Sequence, residues 1–337
     1  MQFLNEYGLF LLKLISIIVA IVIVLFAIIV IVFKDKIKST SQLHIHPLHK
    51  KFNAYRRVLF EASNDKQQLK LLKKSEKESE KKAKLDKKNR LFVINFHGDI
   101  RASQVTALRE EVTALLLVAT PHDEVLIRLE SGGGLVNAYG LAASQLHRIR
   151  AANIRLTVAV DKIAASGGYL MACVAHQIIA APFAIIGSIG VIAQLPNFHR
   201  FLKDKHIDIE QFTAGEYKRT VTLFGENTSK GRTKMQEEVN ETHELFKDYI
   251  NQNRPHVPID QVANGEYWFA QKAIEYNLVD EIQTSDDYLV KFDKTADIFE
   301  IEYKIKKPLI QRLTSGGANL WQKCLSLGKV NTGQDYI

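Results

Sequence analysis

The chain has 337 residues and a formal net charge of +8, enough length for one large domain or two small ones around a buried core. The charge is local: Lys34 to Arg90 carries 18 Lys+Arg against 7 Asp+Glu, a net of +11, while Met1–Phe33 is neutral and Leu91–Ile337 stands at −3. A nucleic-acid surface on the main domain loses its support, and two cysteines, Cys173 in an apolar run and Cys324 near the end, make neither a disulfide framework nor a metal site.

In chain order, a short segment over residues 1–8 precedes Leu9 to Phe33, apolar apart from Lys13 and Ser16. At about 1.5 Å per residue it is long enough to cross a hydrocarbon core of roughly 30 Å. A cleaved signal peptide would carry a shorter apolar region, about 7–15 residues, and a small-residue cleavage site. Here Phe33, Lys34, Asp35 and Lys36 follow, so 9–33 reads as a transmembrane anchor. Lys34, Lys36, Lys38, Lys50, Lys51, Arg56 and Arg57 follow it closely, and the positive-inside rule would place the bulk of the chain in the cytoplasm.

Residues 34–90 read as a basic linker or stalk. His44, His46 and His49 lie there without a carboxylate or cysteine to complete a metal set and with Pro47 between them, so a linker accounts for them. Asp65 to Arg90 is rich in Lys, Glu and Gln, an exposed helix or a disordered stretch. It suits contact with anionic lipid head groups.

Residues 91–305 form the main domain. Strand-like runs at Leu91–Phe96, Glu124–Leu129 and Ile154–Val160 alternate with helical runs at Val105–Val118 and Leu135–Ile149, the pattern of βα units on a largely parallel sheet. Further strands are expected at His176–Ala181, Val191–Gln194, Asp208–Phe212 and Ile298–Tyr303. Helices are expected at Phe198–Lys205, Lys230–Asn253, Ala270–Tyr276 and Asp286–Phe292. The apolar stretch Tyr169–Leu195 is broken by Pro182, Gly187, Ser188 and Gly190, which makes it buried core rather than a second span. Residues 306–337 read as a basic C-terminal tail.

Three glycine-rich or small-residue loops stand at strand ends, where open α/β sheets place their sites. The first, ESGGG over Glu130–Gly134, can line a concave surface with backbone N–H groups; it is neither GxGxxG nor a P-loop. The second, DKIAASGGYL over Asp161–Leu170, puts Ser166 on a strand-to-helix turn between small neighbours. Taken alone, that position reads first as a helix N-cap, and as a nucleophile only if a base can be found. The third, TAGEYKR over Thr213–Arg219, carries Lys218. His97, His147, His176 and His199 have no acidic partner in a recognisable order, and each reads as structural. A lysine serves as base only if burial or charge lowers its pKa by several units; Lys162, nearest in sequence, reads as solvent-facing.

Taken in order, SGGG before a helix, ASGGYLMACVA, APFAIIGSIGV and AGEYKRT, with 52 residues from Ser166 to Lys218, resemble the signal peptide peptidase A family of serine peptidases, closest to its SohB-type branch. LFGENTSKGR and YNLVDEI fit as well, and the resemblance runs from about Leu91 to Ile282. It implies an α/β, crotonase/ClpP-like fold of repeated ββα units and a Ser/Lys dyad. Ser166 would be the nucleophile and Lys218 the general base. The N–H of Gly167 and one from Gly133 or Gly134 would hold the oxyanion, and Ser188 would orient the lysine. No cofactor or metal is implied.

One departure is visible: the family's SPGG has Gly132 in place of its proline, which loosens the loop but removes no donor. The activity implied is that of a membrane-anchored endopeptidase acting on peptides or unfolded proteins in envelope quality control, as a homo-oligomer. Its address would be the bacterial inner membrane with the catalytic domain periplasmic, against the charge bias. An acyl-CoA enzyme of the same fold and a silent membrane scaffold are the alternatives.

Overall fold

The computed structural model describes residues 8, 10, 12–24, 42–82, 89–293 and 295–305. The chain divides into two units, one of Met1–Gln42 with Lys304–Ile337, the other of Leu43–Tyr303. In the first, helix α1 (12–24) is exposed throughout, and Ser16 Oγ donates to Leu12 O at 2.8 Å. No helix of the described residues is long and apolar enough to cross a membrane; much of the expected anchor, 25–33 included, lies outside them, as do Cys324 and the rest of 306–337.

The second unit runs β1 (Leu43–Pro47), α2 (Leu48–Ala62), α3 (Lys66–Lys82), β2 (Arg90–Gly98), α4 (Val105–Leu116), β3 (Glu124–Ser131), α5 (Val136–Ala151), β4 (Arg155–Val160), β5 (Ile163–Ala165), α6 (Gly167–Ala172), β6 (Gln177–Ala180) and β7 (Ile185–Gly187). It continues with α7 (His199–Asp204), α8 (Ser229–Asn253), α9 (Ile259–Val262), β8 (Tyr267–Phe269), α10 (Ala270–Ala273), β9 (Glu281–Ile282), α11 (Ser285–Phe292) and β10 (Asp297–Tyr303). The described strands make one sheet in the order β1-β10-β2-β3-β4-β6-β9, with β5, β7 and β8 on a branch. Its pairs are parallel except β1–β10 and β7–β8.

The branch positions the site. β3 pairs with β4 as far as Arg128↔Ala159, then Ser131 pairs instead with Ala164 of β5. The sheet therefore opens at the carboxyl end of β3, and the chain after Ser131 is brought beside the chain after Ala165.

Alternation along the central strands sorts their side chains onto two faces. Phe92, Ile94, Phe96, Val125, Ile127, Leu129, Leu156, Val158 and Val160 share one core with α4, α5 and α6. Leu91, Val93, Leu126 and Ile179 form a second with Leu48, Tyr288 and Leu289. Cys173 is fully buried in the first. α8 and α11 begin at threonine caps, Thr228 Oγ1 accepting from Gly231 N–H and Thr284 Oγ1 from Asp287 N–H, both at 3.1 Å. Asp286 and Asp287 favour the positive end of α11.

Two expectations change here. Part of the stretch read as a stalk is folded: β1 pairs antiparallel with β10, and Leu48 and Phe52 of α2 pack on the second core. The basic residues of α2 that suggested a linker sit beside that apolar contact, Lys50 and Lys51 exposed. The strands expected at Val191–Gln194 and Asp208–Phe212 are absent; both stretches lack regular structure, and Ile192, Ile209 and Phe212 are exposed. Alternation makes a strand only where a sheet edge accepts it, and the edge beside β5 is taken by Ile185–Gly187.

Glu111 of α4 is buried, and Tyr303 N–H donates to its Oε1 at 2.8 Å. Burial, with neighbouring Glu302 adding, pushes its carboxyl up to about 7 despite that hydrogen bond. The folded chain thus keeps a proton that the unfolded chain releases near 4.5, and stability falls as pH rises through that interval. Urea titrations of wild type and Glu111→Gln at pH 5 and pH 8 are expected to diverge, the wild type losing about 3 kcal/mol more. Parallel behaviour would contradict the burial of a titrating carboxyl.

Candidate active site

β5 ends at Ala165 and α6 starts at Gly167, so the chain turns at Ser166, with φ 51° and ψ −120°. Few non-glycine residues adopt such angles, at a cost of about 1–3 kcal/mol, and they persist where the surroundings impose them. Two backbone bonds do so: Ser166 N–H donates to Gly187 O at 2.8 Å, and Ser166 O accepts from Leu170 N–H at 3.0 Å. The Ser166 side chain makes no capping bond. The hydroxyl of this half-buried residue is therefore not the N-cap that its position alone suggested.

The glycine loop touches this turn. Gly133 has φ +90°, and a Cβ there would lie 2.7 Å from Gly167 N and 2.8 Å from Ser166 Cβ. At Gly134 a Cβ would lie 2.1 Å from Ile100 O, and at Gly167 2.5 Å from Tyr139 Cγ. Gly133, Gly134 and Gly167 have no room for a side chain, which accounts for glycine at those three positions. Gly133 N–H donates to Ser131 Oγ at 3.1 Å. The N–H groups of Gly134 and Gly167 meet no acceptor among the described residues.

Ser188 follows Gly187 directly and has φ 49°; its N–H donates to Glu266 O at 2.6 Å. Because Gly187 O holds Ser166 N–H, Ser166, Ser188 and the glycine loop are tied into one corner. Lys218 is not. It is exposed in an irregular loop, its N–H donating to Gly215 O at 3.1 Å. Among the described residues its Nζ has no hydrogen bond or ion pair, with Ser166 or any other side chain. Its neighbours bind α8 instead: Glu216 pairs with Lys230, and the Tyr217 ring lies 5.7 Å from Lys234 Nζ.

The other candidates have structural employment. Lys162 is exposed and pairs with Glu130 at 3.1 Å; His97 lies 3.6 Å from the same carboxylate. His176 Nδ1 accepts from Leu156 N–H at 3.0 Å, and burial lowers the pKa of its ring. His147 packs edge-on to Tyr249, its pKa also lowered by burial. Two cavities of ≈ 520 and ≈ 360 Å³ share Asn95 and His97, the smaller also lined by Glu130, Asp161 and Lys162, and Ser166 lines neither. What sequence reasoning missed is the support beneath the glycine loop, Ser131 and Tyr139. The one signal in the sequence was a serine directly before the three glycines.

Comparison with known proteins bears on this corner. The N-terminal model of peptidase family S49 matches residues 2–146, and the peptidase family S49 model matches residues 148–298. The chain belongs to peptidase family S49. A relative named probable protease SohB from Haemophilus influenzae is 50% identical over 323 residues, 92% of this chain and 91% of that one. A probable protease SohB from Buchnera aphidicola is 55% identical over 228 residues, covering 68% of each chain. Among solved structures, a variant of the 1510-N membrane-bound stomatin-specific protease with a substrate peptide aligns at TM-score 0.41 and 14% identity, covering 69% of this chain and 100% of that one. The S49 chain is thus a peptidase of the SohB type.

The glycine contacts give a stability test. Gly133→Ala forces a side chain into a positive-φ position against Gly167 N and is expected to cost more than about 1 kcal/mol. At Gly132 the nearest atom to a new Cβ is 3.8 Å away, and Gly132→Ala is expected to stay within about 0.5 kcal/mol of wild type. Equal urea midpoints for the two variants would contradict this loop geometry.

Proposed function

We propose that this S49 peptidase is a membrane-anchored serine endopeptidase that cleaves peptides or unfolded proteins in envelope quality control through a Ser166/Lys218 dyad. The observation that carries the reading is the corner at Ser166: a hydroxyl without a capping role, on a strained turn, in contact with a glycine loop. Ser166 Oγ attacks the peptide carbonyl, and Lys218 Nζ takes its proton and returns it to the leaving amine. Water activated by the same lysine then hydrolyses the acyl-enzyme. The N–H of Gly167 and that of Gly134 hold the oxyanion, Gly133 N–H being engaged by Ser131 Oγ. Ser188 orients the lysine amine.

A lysine acts as base when burial or a neighbouring positive charge lowers its pKa, and covering the Lys218 loop in the working enzyme would supply the burial. Exposed Phe201, Ile207 and Phe212, in the stretch of chain that leads into that loop, support a homo-oligomer in which a neighbouring copy covers it. The crotonase/ClpP-like fold draws support from the branched parallel sheet. Leu9–Phe33 is proposed as the single anchor in a bacterial inner membrane with the domain periplasmic; digestion of the domain in intact spheroplasts supports that side, and protection supports the cytoplasm.

Ser166→Ala and Lys218→Ala are each expected to abolish peptide hydrolysis, a fall of at least about a thousandfold, with unchanged urea midpoints. Wild-type turnover by Lys218→Ala would remove the dyad. Thioester turnover that survives Ser166→Ala would favour the acyl-CoA alternative.

A further inference from the structure

Below the glycine loop lies a closed hydrogen-bond chain that the catalytic reading does not use. Tyr139, on the first turn of α5, and Ser131, the last residue of β3, are 0% and 1% exposed. Tyr139 Oη donates to Asp99 O at 2.8 Å. Its single proton being used there, Ser131 Oγ, 2.5 Å away, donates to Tyr139 Oη. Ser131 Oγ in turn accepts from Gly133 N–H at 3.1 Å. With the Tyr139 proton given to Asp99 O, the chain runs Gly133 N–H to Ser131 Oγ, Ser131 O–H to Tyr139 Oη and Tyr139 O–H to Asp99 O, and Gly98 O stands 3.4 Å from Ser131 Oγ as a second acceptor.

The same tyrosine meets the other half of the corner. Its ring lies under Gly167, where a Cβ would be 2.5 Å from Tyr139 Cγ. The surrounding glycines close on the pair from further sides. A Cβ at Gly98 would lie 2.4 Å from both Ser131 Oγ and Tyr139 Oη, and one at Gly168 would lie 2.4 Å from Ser131 O. The loop 98–103 that supplies the final acceptor also backs the glycine loop, Ile100 O accepting from Leu135 N–H at 2.8 Å. One side chain therefore bears on both proposed oxyanion donors, through its hydroxyl on the glycine loop and through its ring on Gly167. Burial raises the phenol above its ordinary pKa, with Ser131 opposing the shift, and keeps the donor proton in place.

We propose that Tyr139, acting through Ser131, is a positioning residue that sets the spacing of the oxyanion site. It draws Gly133 N–H inward and so leaves the Gly134 N–H, with that of Gly167, for the developing oxyanion. The inference rests on the peptidase reading and extends it to residues that touch neither substrate nor the reacting atoms. A preorganised donor pair favours the tetrahedral state over the planar substrate, so its loss should appear in kcat and not in KM.

The test uses the full chain with a fluorogenic peptide, and with a peptidyl boronic acid that forms a tetrahedral adduct on Ser166. Tyr139→Phe keeps the ring against Gly167 and removes the hydroxyl; Ser131→Ala removes the acceptor of Gly133 N–H. Each is expected to lower kcat about tenfold to a hundredfold with KM within about twofold. The boronate should weaken in parallel, while the same peptide ending in a carboxamide binds unchanged. The double variant should be no slower than the slower single one, since both break one chain.

Wild-type kcat in Tyr139→Phe, with Ser166→Ala inactive, overturns the inference and leaves the peptidase standing. A matched loss of carboxamide binding and of the urea midpoint also overturns it, because that is a structural role only. A wild-type chain that neither cleaves peptide nor takes up the boronate takes away the peptidase reading and this inference with it.

Discussion

The hydrogen bond from Ser166 N–H to Gly187 O holds together a corner that serine would not adopt unaided. A serine at φ 51° is uncomfortable, and the discomfort is offset by bonds on both sides of the residue and by the close packing of glycines around it. What results is a hydroxyl that projects from a strand-to-helix turn without capping the helix it precedes. Neighbouring residues serve this one constraint: Gly187 supplies the acceptor, Gly133 and Gly167 supply the clearance, and the branch of the sheet at Ser131 supplies the approach.

The branch also explains why the corner opens where it does. In a continuous parallel sheet the ends of β3 and β4 would stay paired and leave no opening. Here β4 ends at Val160, the chain bends through Asp161, and β5 takes over the pairing with β3 at Ala164. The Asp161 carboxylate is held there by Ser285, whose N–H and hydroxyl both donate to it, at 2.8 and 2.6 Å. The step from β4 to β5 is thus fixed by a side chain as well as by the strands. The buried Arg254, bonded to Asp280 and to Asn277 O at 2.8 Å, secures the region behind α6 in the same manner.

Much of this was legible in the residues. The alternation of apolar strands with helices at Leu91–Val160 foretold the parallel sheet, because those strands are buried on both faces and those helices on one. Ser166, which alone read first as a helix N-cap, stood out as a candidate only when the glycine loop, the GSIG turn and Lys218 were taken with it in order. Three things were not legible. β1 and α2 were hidden by their histidines and by Lys50, Lys51, Arg56 and Arg57, while Leu43, Leu48 and Phe52 make the core contacts. β5, β7 and β8 have three residues each, too short for any periodicity to register. Tyr139 carried no signal of its own, since the place proposed for it depends on Ser131, Asp99 and Gly167, which only the fold assembles. Asp208 to Phe212 misled in the opposite direction, a strand-like run with no edge to join.

Membership of peptidase family S49 gives a peptidase, and the corner gives its proposed nucleophile a place. The Ser166 turn and the glycine loop are in contact in the single chain, whereas Lys218 stands exposed. The account therefore turns on whether Ser166 carries the acyl group. Acid-quenched mass spectrometry of the full chain during turnover of an activated peptide ester tests that directly. An acyl adduct on Ser166 that forms and decays at the rate of turnover is the expected result. Turnover with no covalent adduct on Ser166, or with the adduct on another residue, would contradict it.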